Sequence, residues 1–167
     1  MIAITITEVK QFMGKLLTDH TFDNFLLEEA TISVYNTFFI DGHINEGFYS
    51  AEEVAVHPEY AASFSTWEQM KPICYGLIRG KRTPLNFKIV LHLNENAAWS
   101  ILENGNCIDL APVVKSFVLT IKFDGSSLVC TTGTAFHTFV LDKAPDILWD
   151  SAMKAFLSKQ QIAFQEL

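Results

Sequence analysis

The chain has 167 residues and a net charge of −7; it is 49% hydrophobic and only 19% charged. A chain of this length buries one core without disulfide or metal staples, and its acidity argues against a general nucleic-acid binder, which needs a concentrated positive field. Its three cysteines, Cys74, Cys107 and Cys130, form no Cys-x-x-Cys pair, which excludes a zinc ribbon or a thioredoxin-like centre at the motif level and reads as reduced thiols.

The N-terminal MIAITITEVK lacks the positive region of a secretory signal, and no apolar run approaches the ~18 residues of a membrane span. The expected location is the cytoplasm. Thr5 and Glu8 have capping-box spacing, and Val9, Phe12, Met13, Leu16 and Leu17 follow on one face, so a helix is predicted over about 6–18. In 22–40, the β-branched and aromatic stretch ATISVYNTFFI favours a strand. It is expected to turn tightly at Asp41-Gly42 and return through His43 and Ile44. Residues 46–65 read as a long loop, with a brief strand at most in EEVAV. Ser65 and Glu68 suggest a second capping box opening a helix with Trp67, Met70, Cys74, Leu77 and Ile78 on one face. Pro72 would kink or delay that helix, and Gly80 would cap it.

Residues 86–93 alternate, with Phe87, Ile89, Leu91 and Leu93 on one side and Lys88, Val90 and His92 on the other, which describes a half-buried strand. A short helix is expected over 95–104, carrying Ala98, Trp99 and Leu102 and stopping near Gly105. Phe117, Leu119, Ile121 and Phe123 then alternate up to Asp124-Gly125. Pairing Phe123 with Ser126 puts Leu128, Cys130 and Thr132 on the same apolar face, so Cys130 is predicted to be core. A strand at about 135–141 precedes Pro145, which suits the first turn of a last helix buried through Trp149, Met153, Phe156 and Leu157. The polar Gln160-Gln161 tail should face solvent. With no repeat or linker, the whole of 1–167 reads as a single α+β domain. A largely antiparallel sheet is expected, packed against three or four helices on one face.

No nucleotide-binding glycine loop, HExxH, GxSxG or EF-hand motif occurs. Of the histidines, His92 and His137 both fall in predicted strands. If those strands are neighbours, the two imidazoles share a cleft and could act as acid and base near neutrality. His43 and His57 are 14 residues apart through a loop, with Glu52 and Glu53 nearby, and this is no recognised ligand spacing, so no metal or other cofactor is expected. Glu28-Glu29 and Glu52-Glu53 are adjacent pairs that a strand would point to opposite faces, unlike the facing carboxyls of a glycosidase. The segment Arg79-Gly80-Lys81-Arg82-Thr83-Pro84 concentrates three of only twelve basic residues at a helix end, with Lys88 close in sequence. It reads either as an anion- or partner-binding turn or as cations placed to suit the negative end of a helix dipole.

The N-terminal helix VKQFMGKLL, the segment NTFFIDGHI and especially WEQMKPICYGLIRGKRTPLNFKIVLHL resemble an uncharacterised family of small clostridial and related Firmicutes proteins, a domain of unknown function. The resemblance implies a bacterial cytoplasmic protein and brings no catalytic or ligand residues with it. Three functional readings follow. The leading one is a non-enzymatic binding or interaction protein contacting a protein partner, or itself, through Arg79, Lys81, Arg82 and Lys88. The second is a small-ligand-binding protein or enzyme whose cleft uses His92 and His137. The third is a nucleic-acid accessory protein reading phosphate through the basic turn, against the grain of the net charge.

Overall fold

The computed structural model describes residues 1–167. Its frame is one antiparallel sheet of seven strands: β1 (Ala3–Ile6), β2 (Leu26–Ser33), β3 (Thr37–Asp41), β4 (Asn86–His92), β5 (Val114–Phe123), β6 (Leu128–Phe136) and β7 (Phe164–Glu166). They lie in the order β3-β2-β4-β5-β6-β1-β7, with every neighbouring pair antiparallel. Five helices accompany them: α1 (Val9–Leu17), α2 (Ala51–Val56), α3 (Trp67–Ile78), α4 (Glu95–Asn104) and α5 (Ala144–Lys159). The expected α+β architecture is what the chain adopts.

Strand alternation decides where the core sits. Phe87, Ile89 and Leu91 of β4, Phe117, Leu119 and Ile121 of β5, and Leu128 and Cys130 of β6 all point to one face. There they meet Phe12 and Leu16 of α1, Trp67 and Cys74 of α3, and Trp149, Met153 and Leu157 of α5 in a single cluster of 28 buried residues. Two indole N–H groups anchor the helical layer: Trp67 Nε1 donates to the Leu16 carbonyl at 2.7 Å, and Trp149 Nε1 to the Val118 carbonyl at 2.8 Å. At about 25 cal/mol per Å² of apolar area, aromatic burial on this scale dominates the fold's stability.

Several boundaries differ from expectation. Residues 3–6 form a strand rather than the start of α1, because Ile4 and Ile6 alternate into the core and β1 pairs with both β6 and β7. Glu8 is the residue before the helix and makes no side-chain cap. The long 22–40 stretch is two strands, turning at 34–36 with Val34 N–H donating to the Asn36 carbonyl. The turn therefore precedes Asp41-Gly42. Residues 51–56, expected to be loop or strand, are helical because Ser50 and Glu53 form a reciprocal capping box. The box of α3 is Thr66 with Gln69, one residue later than the sequence suggested. Pro72 lies inside α3, which continues through it to Ile78. The β5–β6 hairpin pairs Phe123 with Leu128 rather than Ser126. A slip of two residues keeps every side chain on its predicted face, and Cys130 is fully buried as expected. After β6 ends at Phe136 there is no strand over 137–141.

Candidate functional site

One end of the sheet is irregular, and the irregularity places charge there. Between β2 and β4 the register shifts around Glu28, and between β5 and β6 it shifts around Lys115. Each is an extra residue in its strand, and such bulges re-aim a side chain and bend the strand. Both occur where β2 begins, β4 ends and β5 begins. At this end β3 also parts from β2, and residues 63–66 wedge between them. Leu27 N–H donates to the Ser65 carbonyl and Ser65 N–H to the Gly42 carbonyl, both at 2.9 Å, while Ile44 N–H reaches the Ser63 carbonyl at 2.9 Å. The wedge needs glycine at position 42, because a Cβ there would stand 1.8 Å from the Leu27 carbonyl oxygen. Gly42 is thus demanded by close approach of two backbones rather than by turn conformation.

The wedge carries Phe64 onto the face opposite the core. Its ring sits between two imidazoles, with centroids 4.2 Å from His43 and 4.5 Å from His92, the latter edge-on. His92, the last residue of β4, points away from the core by alternation yet is only 7% exposed, and its Nε2 is buried with no hydrogen-bond partner. Unpartnered buried nitrogens are uncommon and ask for an explanation. Burial holds the imidazole below the ordinary histidine value, against the pull of the Glu28 carboxylate and a backbone group of Leu93; His43 and Lys115 push the same way as burial. His92 is therefore neutral at pH 7.

His92 opens onto a cleft of about 690 Å³, within the range of small-molecule sites. Leu26, Leu102 and Val114 supply apolar wall, Phe64 and Trp99 aromatic wall, and Asn94, Lys115 and His137 polar groups. Trp99 is 56% exposed although it stands in the middle of α4. His137 lies just beyond β6, exposed at the rim, its N–H bonded to the Val113 carbonyl. The two histidines thus line one cleft, although β5 separates their strands and His137 is past the end of its own. Neither imidazole is hydrogen-bonded to a hydroxyl, thiol or carboxylate, so the cleft holds no preformed nucleophile–base pair.

The other sequence candidates lie elsewhere. Arg79, Lys81 and Arg82 line a pocket of about 370 Å³ at the end of α3 with Tyr35 and Leu85. The Arg79 guanidinium lies 5.9 Å from the centre of the Tyr75 ring, and none of the three cations has a carboxylate partner among the chain's ion pairs. Lys88 is apart from them, on the coreless face of β4, where it pairs with Glu29 at 2.6 Å. His43 bonds Asp41 and His57 bonds Glu59, each to its own near neighbour. Buried Cys74 and Cys130 have thiols pushed up to about 12 by desolvation, which leaves them inert as nucleophiles.

Sequence reading missed Lys115, whose role depends on a bulge that only strand pairing reveals. It also missed a buried ionic latch. Lys71 on the inner face of α3 donates to Asp23 at 2.5 Å and to the Asp19 carbonyl at 2.7 Å, and Asp23 also bonds His20 at 2.6 Å. Glu68 brings a further carboxylate close to His20 and Asp23, but the Lys71 ammonium already supplies the positive charge. The spacing offered a signal, since Lys71 follows Trp67 by four and precedes Cys74 by three.

A family model for a family of unknown function, DUF5721, matches residues 15–165. The chain belongs to that family. No curated protein and no solved structure matches it. No helix is long and apolar enough to cross a membrane.

Proposed function

We propose that this member of the DUF5721 family is a small-ligand-binding protein whose ligand occupies the cleft at the end of β4. One observation carries the reading: His92 buries an unpartnered Nε2 beside a cleft large enough for a small organic molecule. An unmet buried polar group costs about 1–3 kcal/mol, and a ligand hydrogen bond is the direct way to recover it. The lack of a side-chain partner on His92 favours binding over catalysis, because a general base needs an orienting group or a nucleophile within reach.

The test is a ligand-observed NMR screen of a mixed metabolite-sized library on wild type and on His92→Phe, with the circular dichroism of both compared. At least one compound should bind wild type and weaken tenfold or more in the variant, about the 1.4 kcal/mol of one neutral hydrogen bond. Hits that bind both proteins equally, or a screen with none, overturn the reading.

A second reading rests on the basic turn. Arg79, Lys81 and Arg82 are exposed and unpaired in an acidic chain, which suits an acidic protein surface or a phosphate backbone. Replacing all three with Ala should abolish partner recovery in a pull-down with little change in melting temperature. Recovery that falls steeply with salt would indicate nucleic acid, and a large loss of stability would make the turn only a helix end.

A further inference from the structure

We infer that the cleft is built for a ring-bearing carboxylate, a small aromatic or heteroaromatic monoanion. This rests on the cleft reading above and adds the chemistry of what binds.

Two features converge on negative charge, and a third marks an unmet polar group beside them. Lys115, raised on its bulge, lines the cleft and forms no ion pair with any carboxylate of the chain. The N-terminus of the ten-residue α4 also opens there, through Asn94, Glu95 and Asn96. Asn94 Oδ1 caps that helix by accepting from the Ala97 N–H at 2.9 Å, whereas the N–H groups of Glu95 and Asn96 have no acceptor within the helix or outside it. Such an end carries roughly half a positive charge. Independently of both, His92 lines the same cleft, and its buried Nε2 has no partner.

The amount of positive charge selects the class of anion. One lysine and one helix end supply roughly one and a half positive charges, of which the Glu95 carboxylate offsets one, so they suit at most a single negative charge. No arginine lines the cleft, although dianionic phosphate is usually held by an arginine fork or a lysine-bearing glycine loop. A carboxylate fits this balance, and its two oxygens can take the lysine and the helix amides together. The walls specify the rest of the ligand. Phe64 and Trp99 offer aromatic surface and Leu26, Ala98, Leu102 and Val114 apolar surface, so the body of the molecule is a ring. A ring hydroxyl or ring nitrogen would meet His92, which as a neutral imidazole can donate or accept.

The experiment is a titration of uniformly ¹⁵N-labelled protein with benzoate, indole-3-carboxylate, benzamide and inorganic phosphate, followed by amide shifts in wild type and Lys115→Met. Lys115 is exposed, so its replacement leaves the core intact, and an unchanged spectrum away from the cleft verifies this. The two carboxylates should shift the Glu95 and Asn96 amides and residues 63–66, with Kd rising at least tenfold in Lys115→Met and benzamide binding at least tenfold more weakly than benzoate. Benzamide binding as well as benzoate in both proteins, with the cleft amides responding, would overturn the anion inference and leave the binding cleft standing. Phosphate outcompeting the carboxylates would overturn the carboxylate assignment. If no ring compound of either charge shifts the cleft amides, the inference and the cleft reading both fall.

Discussion

A buried ionisable side chain takes its behaviour from its partners, and the Lys71–Asp23 pair and His92 differ in that respect. Lys71 and Asp23 form a hydrogen-bonded pair, each less than a tenth exposed. Burial raises the Asp23 carboxyl, but the bonds from Lys71 and His20 outweigh it and the net shift is downward. Removing one partner leaves an uncompensated buried charge, so Lys71→Ala is expected to lose about 3–5 kcal/mol in urea denaturation, while Lys71→Met with Asp23→Leu recovers most of it. A single mutant as stable as wild type would mean that the latch is hydrated. His92 has no such partner. Its folded value lies below the unfolded ~6.5, so the unfolded chain binds the extra proton as pH falls. This proton linkage costs no stability above about pH 6.5, and stability is lost as pH drops below that value toward the folded one. His92→Phe should therefore match or exceed wild-type stability at pH 7.5 and lose less on going to pH 5. Glu28, which favours the charged imidazole, and His43 and Lys115, which oppose it, remain in both proteins, so the difference between their pH profiles isolates His92. Identical profiles would contradict its burial as a neutral group.

Among the elements, those with a long repeating pattern were legible in the sequence and those set by pairing were not. The four alternating apolar residues of β5 and the Trp149, Met153, Leu157 stripe of α5 each define a face locally, and both faces are buried as read. β1 has only two inward residues, Ile4 and Ile6, too few to outweigh a helix signature beginning beside it. The β2–β3 turn at 34–36 contains neither glycine nor proline, so the Asp41-Gly42 dipeptide drew the turn seven residues too late. The cleft was half legible for the same reason. His92 could be placed on the less apolar side of its strand, but Lys115, Glu28 and the 63–66 wedge depend on bulges and bridges between distant segments. The wedge itself is testable through its glycine. Gly42→Ala would drive a methyl group into the Leu27 carbonyl, and either β2 or the wedge must move. The expected loss is about 1–3 kcal/mol, the usual range for overpacking, with benzoate affinity falling because Phe64 leaves its place against His92. Wild-type stability and affinity in Gly42→Ala would contradict the close approach of the two backbones at position 42.

At the scale of the molecule, the sheet is unequally protected. β4, β5 and β6 each have a strand on both sides and contribute most of the fully buried strand residues, whereas α2 and the turn at Pro58–Ala61 bury no side chain. Local opening free energy follows such differences. Native-state hydrogen exchange should thus find the slowest amides in β4–β6, exchanging only with global unfolding, and the fastest in 51–61, exchanging through local opening. The cleft lies on the boundary between these regimes, its floor on β4 and β5 and its roof, Phe64, on the segment returning from the exchange-prone excursion. A ligand contacting both must tie the mobile part to the fixed part and slow exchange there by mass action. Saturating benzoate is expected to slow the amides of 63–66 and the first turn of α4 while leaving those of 79–83 unchanged. Protection at 79–83 instead would move the binding surface to the cationic turn at the end of α3, and no change anywhere would detach the wedge from ligand binding altogether.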